Sequence, residues 1–183
     1  QRPRTVVQNV TASHHLRGAE FLKPVVHRLL AGDGHDIVAQ AAGRFDSFCH
    51  AVGTGHSLMR VARILRAHRA DVHIAAVEPG ESPVLSGGEP GAHDIEGIGA
   101  GFVPPLWDAA VAAEIHAVPT EEAKAMARRL SREEALCAGT SSGANVVAAI
   151  RIAARLGPEA TVVTLLCDSG LKYMTTGLYG GGS

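Results

Sequence analysis

Residues 45–66 read FDSFCHAV, then Gly53-Thr54-Gly55-His56-Ser57, then LMRVARILR, and no other stretch restricts the fold as tightly. The alternating apolar run, rich in aromatic and β-branched residues, predicts a short strand from Phe45, and Leu58, Val61, Ala62 and Leu65 recur at helical spacing. The glycine turn therefore joins a strand to a helix. The first amides of a helix have no internal acceptor, and the aligned peptide dipoles leave about half a positive charge there, so an anion is favoured at Gly55 to Ser57. Glycines let the backbone approach a ligand closely, and the Thr54 and Ser57 hydroxyls add two donors. The turn is neither GxGxxG nor GxxxxGKS, so the common dinucleotide and nucleoside-triphosphate motifs do not fit. A phosphate site and a merely architectural α/β turn both remain open on these residues alone.

The rest of the chain supports a parallel α/β arrangement. A short helix is predicted near Asp36 to Ala42, a second strand over Asp71 to Glu78, a third over Glu114 to Val118, and a helix from Thr120 to about Ala135. A further helix is expected from about Ala144 to Leu156, closed by Gly157-Pro158, with the preceding serines either allowing close helix-to-sheet approach or simply capping it. Thr161 to Cys167, TVVTLLC, is a continuous apolar run of the kind buried on both faces of a parallel sheet, and Asp168-Ser169-Gly170 follows at its carboxyl end, where open α/β sheets place ligands. Residues 80–109 are rich in glycine and proline without periodicity, which suits either a segment that closes over a ligand or a tolerant surface excursion. Before His35 the pattern is less regular; a helix from about His14 to Leu30 is expected, weakened by Gly18 and Pro24.

Composition narrows the classes. Net charge is −1 from 17 basic and 18 acidic residues, which gives no reason to expect nucleic acid or an anionic membrane as partner. No apolar run reaches membrane-spanning length and no leader pattern is visible, so a soluble, cytoplasmic protein is expected. Cys49, Cys137 and Cys167 lie scattered in apolar stretches and are expected to be buried free thiols. The 10 histidines show no metal-binding spacing, and surface or loop positions are expected for nearly all of them. His56 is the exception, because it would sit beside any anion held by the turn.

Four motifs, in the same order, make the chain resemble the cysteine synthase (O-acetylserine sulfhydrylase) and cystathionine β-synthase family: the turn from Val52 to Ser57, the SGG…GIGAGF loop from Ser86 to Phe102, the EE…SSGA stretch from Glu133 to Ala144, and DSGLKYMTT from Asp168 to Thr176. The resemblance covers about His35 to Tyr179. It implies an α/β fold of three layers, a mainly parallel sheet with helices on both faces, similar to the larger domain of a fold-type II pyridoxal-phosphate enzyme and lacking its amino-terminal part. The division it suggests is an unassigned segment 1–34, the domain 35–179 and a tail 180–183. By resemblance, Gly53, Thr54, Gly55, His56 and Ser57 hold the phosphate of pyridoxal 5'-phosphate, and Ser169 meets the pyridine nitrogen. Gly97, Gly99 and Ala100 belong to the loop beside the substrate. His56 stands where the commonest family pattern has glycine. A neutral serine at the ring nitrogen moderates the electron sink and suits β-elimination.

The family reaction replaces the β-substituent of an activated serine, such as O-acetylserine, with sulfide to give cysteine. Its Schiff-base lysine lies in an S-x-K-[DN]-R motif, and the lysines here, Lys23, Lys124 and Lys172, sit in FLKPV, EAKAM and GLKYM instead. The loop that grips the substrate carboxylate is also missing. No catalytic residue is therefore assigned, and the chain is expected to be a fragment, a split-gene subunit or a decayed copy. Its partners would be a small amino-acid substrate and a second chain bearing the lysine, in a homo- or hetero-oligomer with an uncovered sheet edge. A non-catalytic pyridoxal-phosphate-binding or interaction protein is the alternative, and an unrelated α/β phosphate binder is a third.

Overall fold

Five parallel strands form the centre of the protein in a computed structural model that describes residues 25–27 and 34–180. They are β1 (Val25–His27), β2 (Ser47–Ala51), β3 (His73–Pro79), β4 (Glu114–Val118) and β5 (Val162–Leu165), in the spatial order β1-β5-β2-β3-β4. The helices are α1 (Gly34–Gln40), α2 (His56–His68), α3 (Thr120–Glu134) and α4 (Thr140–Leu156). Most of the helix expected over 14–30 lies outside the described residues. The part that is described, Val25–His27, is a strand paired in parallel with Val163–Leu165, which corrects the expectation. Pro24 and two successive valines explain it, since one breaks a helix and the others favour extended backbone.

Alternation along the strands sorts the core into two faces. Cys49, Ala51, Ala75, Val77 and Val162 pack with α4, while Phe48, Ile74, Ala76 and Val163 pack with Leu58, Val61, Ala62 and Leu65 of α2 and Ile37 of α1. The three-layer arrangement follows, as the motifs implied. Each large α2 side chain so buried contributes roughly 1.5–3 kcal/mol, which outweighs the weak intrinsic stability of a 13-residue helix. Helix α4 is buried on nearly every side because it lies between the sheet and α3. It begins at Thr140, four residues before the expected start, since Gly143 is an interior residue of the helix. A Cβ there would overlap the Ala123 carbonyl of α3, so the glycine permits contact between the two helix backbones.

No helix of the described residues crosses from β3 to β4; the segment 80–113 makes that connection with two short 3₁₀ turns. Specific contacts hold it down. The buried Glu78 carboxylate accepts from the Leu85 N–H at 2.7 Å and from the Ser86 hydroxyl. Thr120 and Thr140, at the starts of α3 and α4, accept from the Asp94 and Glu96 N–H groups at 3.2 Å each. Ile95 between them is fully buried in the α4-side core. The excursion is thus a loop pinned across the carboxyl ends of β2 and β3.

Candidate functional site

Strand β2 stops at Ala51, and the chain turns through Val52 to Gly55 into α2. Gly55 is the residue before the helix and has φ 85°, a left-handed conformation that favours glycine. Met59 is the first residue whose N–H finds an acceptor in the new helix, the Gly55 carbonyl at 3.0 Å. The His56 N–H reaches only Thr54 Oγ1 at 3.4 Å, and the Ser57 and Leu58 amides precede the first helical bond. The turn opens into a cleft of about 290 Å³ whose walls include Gly53, Thr54, Gly55 and Ser57, then Gly97 and Ile98 from the pinned loop, and Cys167 and Asp168 beyond β5. Strands β2 and β5 are neighbours, with Cys49 opposite Thr164, so the segments leaving them meet at one point of the sheet edge.

The expected residues divide around that cleft. Gly53, Thr54, Gly55, Ser57 and Gly97 line it. Ala100 lines an adjoining apolar cavity of about 570 Å³ with Phe102, Pro104 and Leu106, which also touches Gly53 and Thr54. Gly99 supports the loop: its N–H donates to the Val52 carbonyl at 3.4 Å, and its carbonyl accepts from His93 Nε2 at 2.8 Å. The His56 side chain lies on another groove, beside Arg60, Arg63 and Arg66 of α2. Ser169 directly follows the cleft residue Asp168; its Oγ accepts from the Leu171 N–H at 3.3 Å, and its backbone bridges to Ala138.

Charges near the cleft are largely paired. Asp168 accepts from the Tyr173 hydroxyl at 2.5 Å, while its Oδ1 is buried with no partner among the described residues. Desolvation, and then that bond to Asp168, push the Tyr173 phenol far above its ordinary value, so it stays a donor. Lys172 lines the cleft and pairs with Glu96 at 2.7 Å, and this hydrogen bond raises its pKa. Lys124 is elsewhere, 2.9 Å from Asp94 and 3.2 Å from Glu121.

His50, which lines the cleft, and Asn145, buried against it, carry more structure than their sequence context suggested. His50 was expected among the surface or loop histidines, but it is 6% exposed because a central strand of a sheet covered on both faces has no solvent side. Desolvation lowers its pKa to about 4. Asn145 of α4 is fully buried; its Oδ1 accepts from the Ala51 N–H at 2.7 Å and its Nδ2 donates to the Leu165 carbonyl at 2.8 Å and faces His50 Nδ1 at 3.2 Å. An asparagine inside the otherwise apolar run ANVVAAI was the available signal, since a polar residue there needs buried partners. The cysteines are all free, but only Cys49 is buried, with its thiol pushed up to about 12 by desolvation; Cys137 is intermediate, and Cys167 is exposed as a residue although its Sγ turns inward to 3.5 Å from the buried Asn145 Nδ2. Cys167 adjoins the cleft, which accounts for the departure from the expected buried thiols.

Residues 8–168 match the family described as pyridoxal-phosphate dependent enzyme. The chain belongs to that family. The match begins well before His35, where the motifs start, and it removes the alternative of an unrelated phosphate binder. A cysteine synthase of Staphylococcus aureus is 43% identical over 157 residues, which are 85% of this chain and 50% of that protein. Among solved structures, O-acetylserine sulfhydrylase isoform 3 of Entamoeba histolytica superposes with TM-score 0.78 at 35% identity, covering 82% of this chain and 45% of that one. An O-acetylserine dependent cystathionine β-synthase of Helicobacter pylori gives 0.76 at 34%, covering 80% and 47%. The chain therefore spans about half the length of the relatives it matches. Pyridoxal phosphate is the cofactor of this pyridoxal-phosphate dependent family, and the turn fits it: the start of α2, at Ser57 and Leu58, lines the cleft ahead of the first helical bond, and Gly53, Gly55 and Gly97 line it too.

Proposed function

We propose that this chain is the cofactor-phosphate-binding portion of a β-replacement enzyme of the cysteine synthase type, acting on an activated serine such as O-acetylserine with sulfide. The observation that carries the proposal is the helix-start turn opening into a cleft shared with the carboxyl end of β5. When bound, pyridoxal phosphate supplies an electron sink that labilises bonds at the Cα of an amino acid. Gly53 to Ser57 anchor its phosphate through amides, the helix dipole and the Thr54 and Ser57 hydroxyls. Gly97 and Ile98 form the facing wall on the substrate side, with Gly99 tying that wall to Val52. Phe102 and Leu106, 58% and 56% exposed, line the apolar cavity that adjoins the cleft. Ser169 and Asp168, the latter with a buried Oδ1, lie toward the cofactor ring, where the Ser169 hydroxyl hydrogen remains available to an acceptor.

Among the described residues no lysine is free in the cleft: Lys172 pairs with Glu96 and Lys124 lies outside. In this proposal a lysine-bearing partner segment completes the enzyme, and the assembly is a homo- or hetero-oligomer. The same pairing favours, as a second reading, a relative that binds the cofactor without catalysis. Titration with pyridoxal phosphate, followed by fluorescence, tests the common core of both: saturable binding is expected, and Ser57→Asp abolishes it by opposing like charges. Unchanged affinity in the variant would remove the turn from the site. Sulfide-dependent formation of cysteine only after addition of a lysine-bearing partner separates the two readings.

A further inference from the structure

We propose that His50 is a ligand-binding residue, a neutral imidazole whose tautomer is fixed by Asn145 and whose Nε2–H donates to an acceptor on the ring of the bound cofactor. The inference rests on the function proposed above. The main chain determines how the Asn145 amide is oriented. The Ala51 N–H can only donate, so the atom 2.7 Å from it is the amide oxygen; the Leu165 carbonyl can only accept, so the atom 2.8 Å from it is the nitrogen. One Nδ2 hydrogen goes to Leu165, and the other faces His50 Nδ1 at 3.2 Å, with Cys167 Sγ a weaker neighbour at 3.5 Å. His50 Nδ1 must then accept, so the one proton of the neutral ring is on Nε2. A second proton on Nδ1 would meet an amide hydrogen. This reinforces the effect of burial, which already holds the pKa down at about 4.

The Nε2–H has no partner among the described residues, and it is not one of the sealed-in unpaired atoms, because His50 lines the cleft. Phe48 lies beside the imidazole with ring centroids 6.1 Å apart. His50 is three residues before Gly53, at the end of β2, next to the end of β5. A phosphate held at Gly55–Ser57 fixes one end of a ligand, and the ring must then extend across the cleft that His50 and Asp168 both line. Among the described residues the charged groups of that cleft are Glu96, Asp168 and Lys172, with the Cys167 thiol raised to about 11 by desolvation. An uncharged donor serves a pyridine nitrogen or ring oxygen there without altering this balance.

Nitrogen NMR of the full chain labelled in histidine and in the backbone tests the proposal, with pyridoxine 5'-phosphate as probe because it has no aldehyde to react with lysines. The expected result is a His50 ring protonated on Nε2 only, unchanged from pH 7 to 5.5. Pyridoxine phosphate should shift both His50 Nε2 and the amides of residues 55–58, whereas inorganic phosphate shifts the amides alone. Amides that move while His50 stays still would overturn the inference and leave the proposed phosphate site intact; if neither moves, both fall. A ring protonated on Nδ1 would also overturn it. Asn145→Leu, which removes the positioning residue, should release a mixture of tautomers. His50→Phe should weaken pyridoxine phosphate about three- to tenfold, the worth of one hydrogen bond, without changing inorganic phosphate affinity. Equal loss for both probes would show a merely structural role and refute the assignment.

Discussion

Burial of His50 makes stability depend on pH in a way that a single substitution can isolate. The free imidazole titrates near 6.5, and burial lowers the folded-state value to about 4. Between these values the unfolded chain binds a proton that the folded chain refuses. Stability therefore rises with pH across this window: the contribution is fully present above about 6.5 and is lost as pH falls toward 4. Integrating the linkage from pH 7 to pH 5 gives a loss of about 2 kcal/mol from this residue alone. The full separation of the two values corresponds to about 3 kcal/mol. His73, also lowered by desolvation, and other groups add their own dependence, so wild type must be compared with His50→Phe, which cannot titrate. Urea unfolding at pH 7 and pH 5 should show the wild type losing about 2 kcal/mol more than the variant. Parallel curves for the two proteins would refute the reasoning, because the imidazole would then be protonating inside the fold at no cost.

Three other substitutions probe the parts that shape the cleft. Gly143→Ala gains about 1 kcal/mol of helix propensity, but its Cβ meets the Ala123 backbone carbonyl, which cannot rotate away. The α3–α4 contact must then open, and a net loss of about 1–2 kcal/mol is expected in thermal or urea unfolding. Ser57→Asp should abolish phosphate binding while leaving the melting temperature unchanged or slightly higher, since a carboxylate at a helix start is favourable by about 0.3–1 kcal/mol. Glu78→Ala strands the Leu85 N–H and Ser86 hydroxyl, so amide hydrogen exchange over residues 84–88 should accelerate, with a global cost of about 1–3 kcal/mol.

The sequence revealed elements whose burial is one-sided or complete, because those leave a period. α2 shows its apolar stripe at helical spacing, and TVVTLLC announces a strand covered on both faces. The glycine turn was legible for the same reason, since a strand pattern and a helix pattern meet across it. Where side chains act through distant partners the pattern is silent. His50 and Asn145 lie 95 positions apart, and neither spacing nor composition joins them. Gly143 looked like the edge of a helix because a glycine usually weakens one; its actual requirement is the Ala123 carbonyl on another helix. β1 escaped because three residues carry no period, and its strand character comes from pairing with β5.

Backbone and side chains divide the work of the cleft unequally. A phosphate dianion at Gly55–Ser57 would meet amides, two hydroxyls and a helix dipole, while the nearest cation lining the cleft, Lys172, already answers Glu96. The arginines of α2 line the separate groove with His56. Thr54, His56 and Ser57 are exposed, and the field of a helix start is screened by salt, so anchoring of the cofactor phosphate should weaken as ionic strength rises. The chemistry is different: moving a proton requires a titratable side chain held at the reacting carbon. The groups that line this cleft are an imidazole kept neutral by burial, a thiol raised to about 11, an aspartate bonded to Tyr173 and a lysine bonded to glutamate. Among the described residues, the shifts of the His50 imidazole, the Cys167 thiol and the Lys172 ammonium all lead away from proton exchange near neutrality. Under the proposed function, an anchor built this way would hold a cofactor with little help from any partner, and the reaction would then turn on the group brought to the cleft's open side.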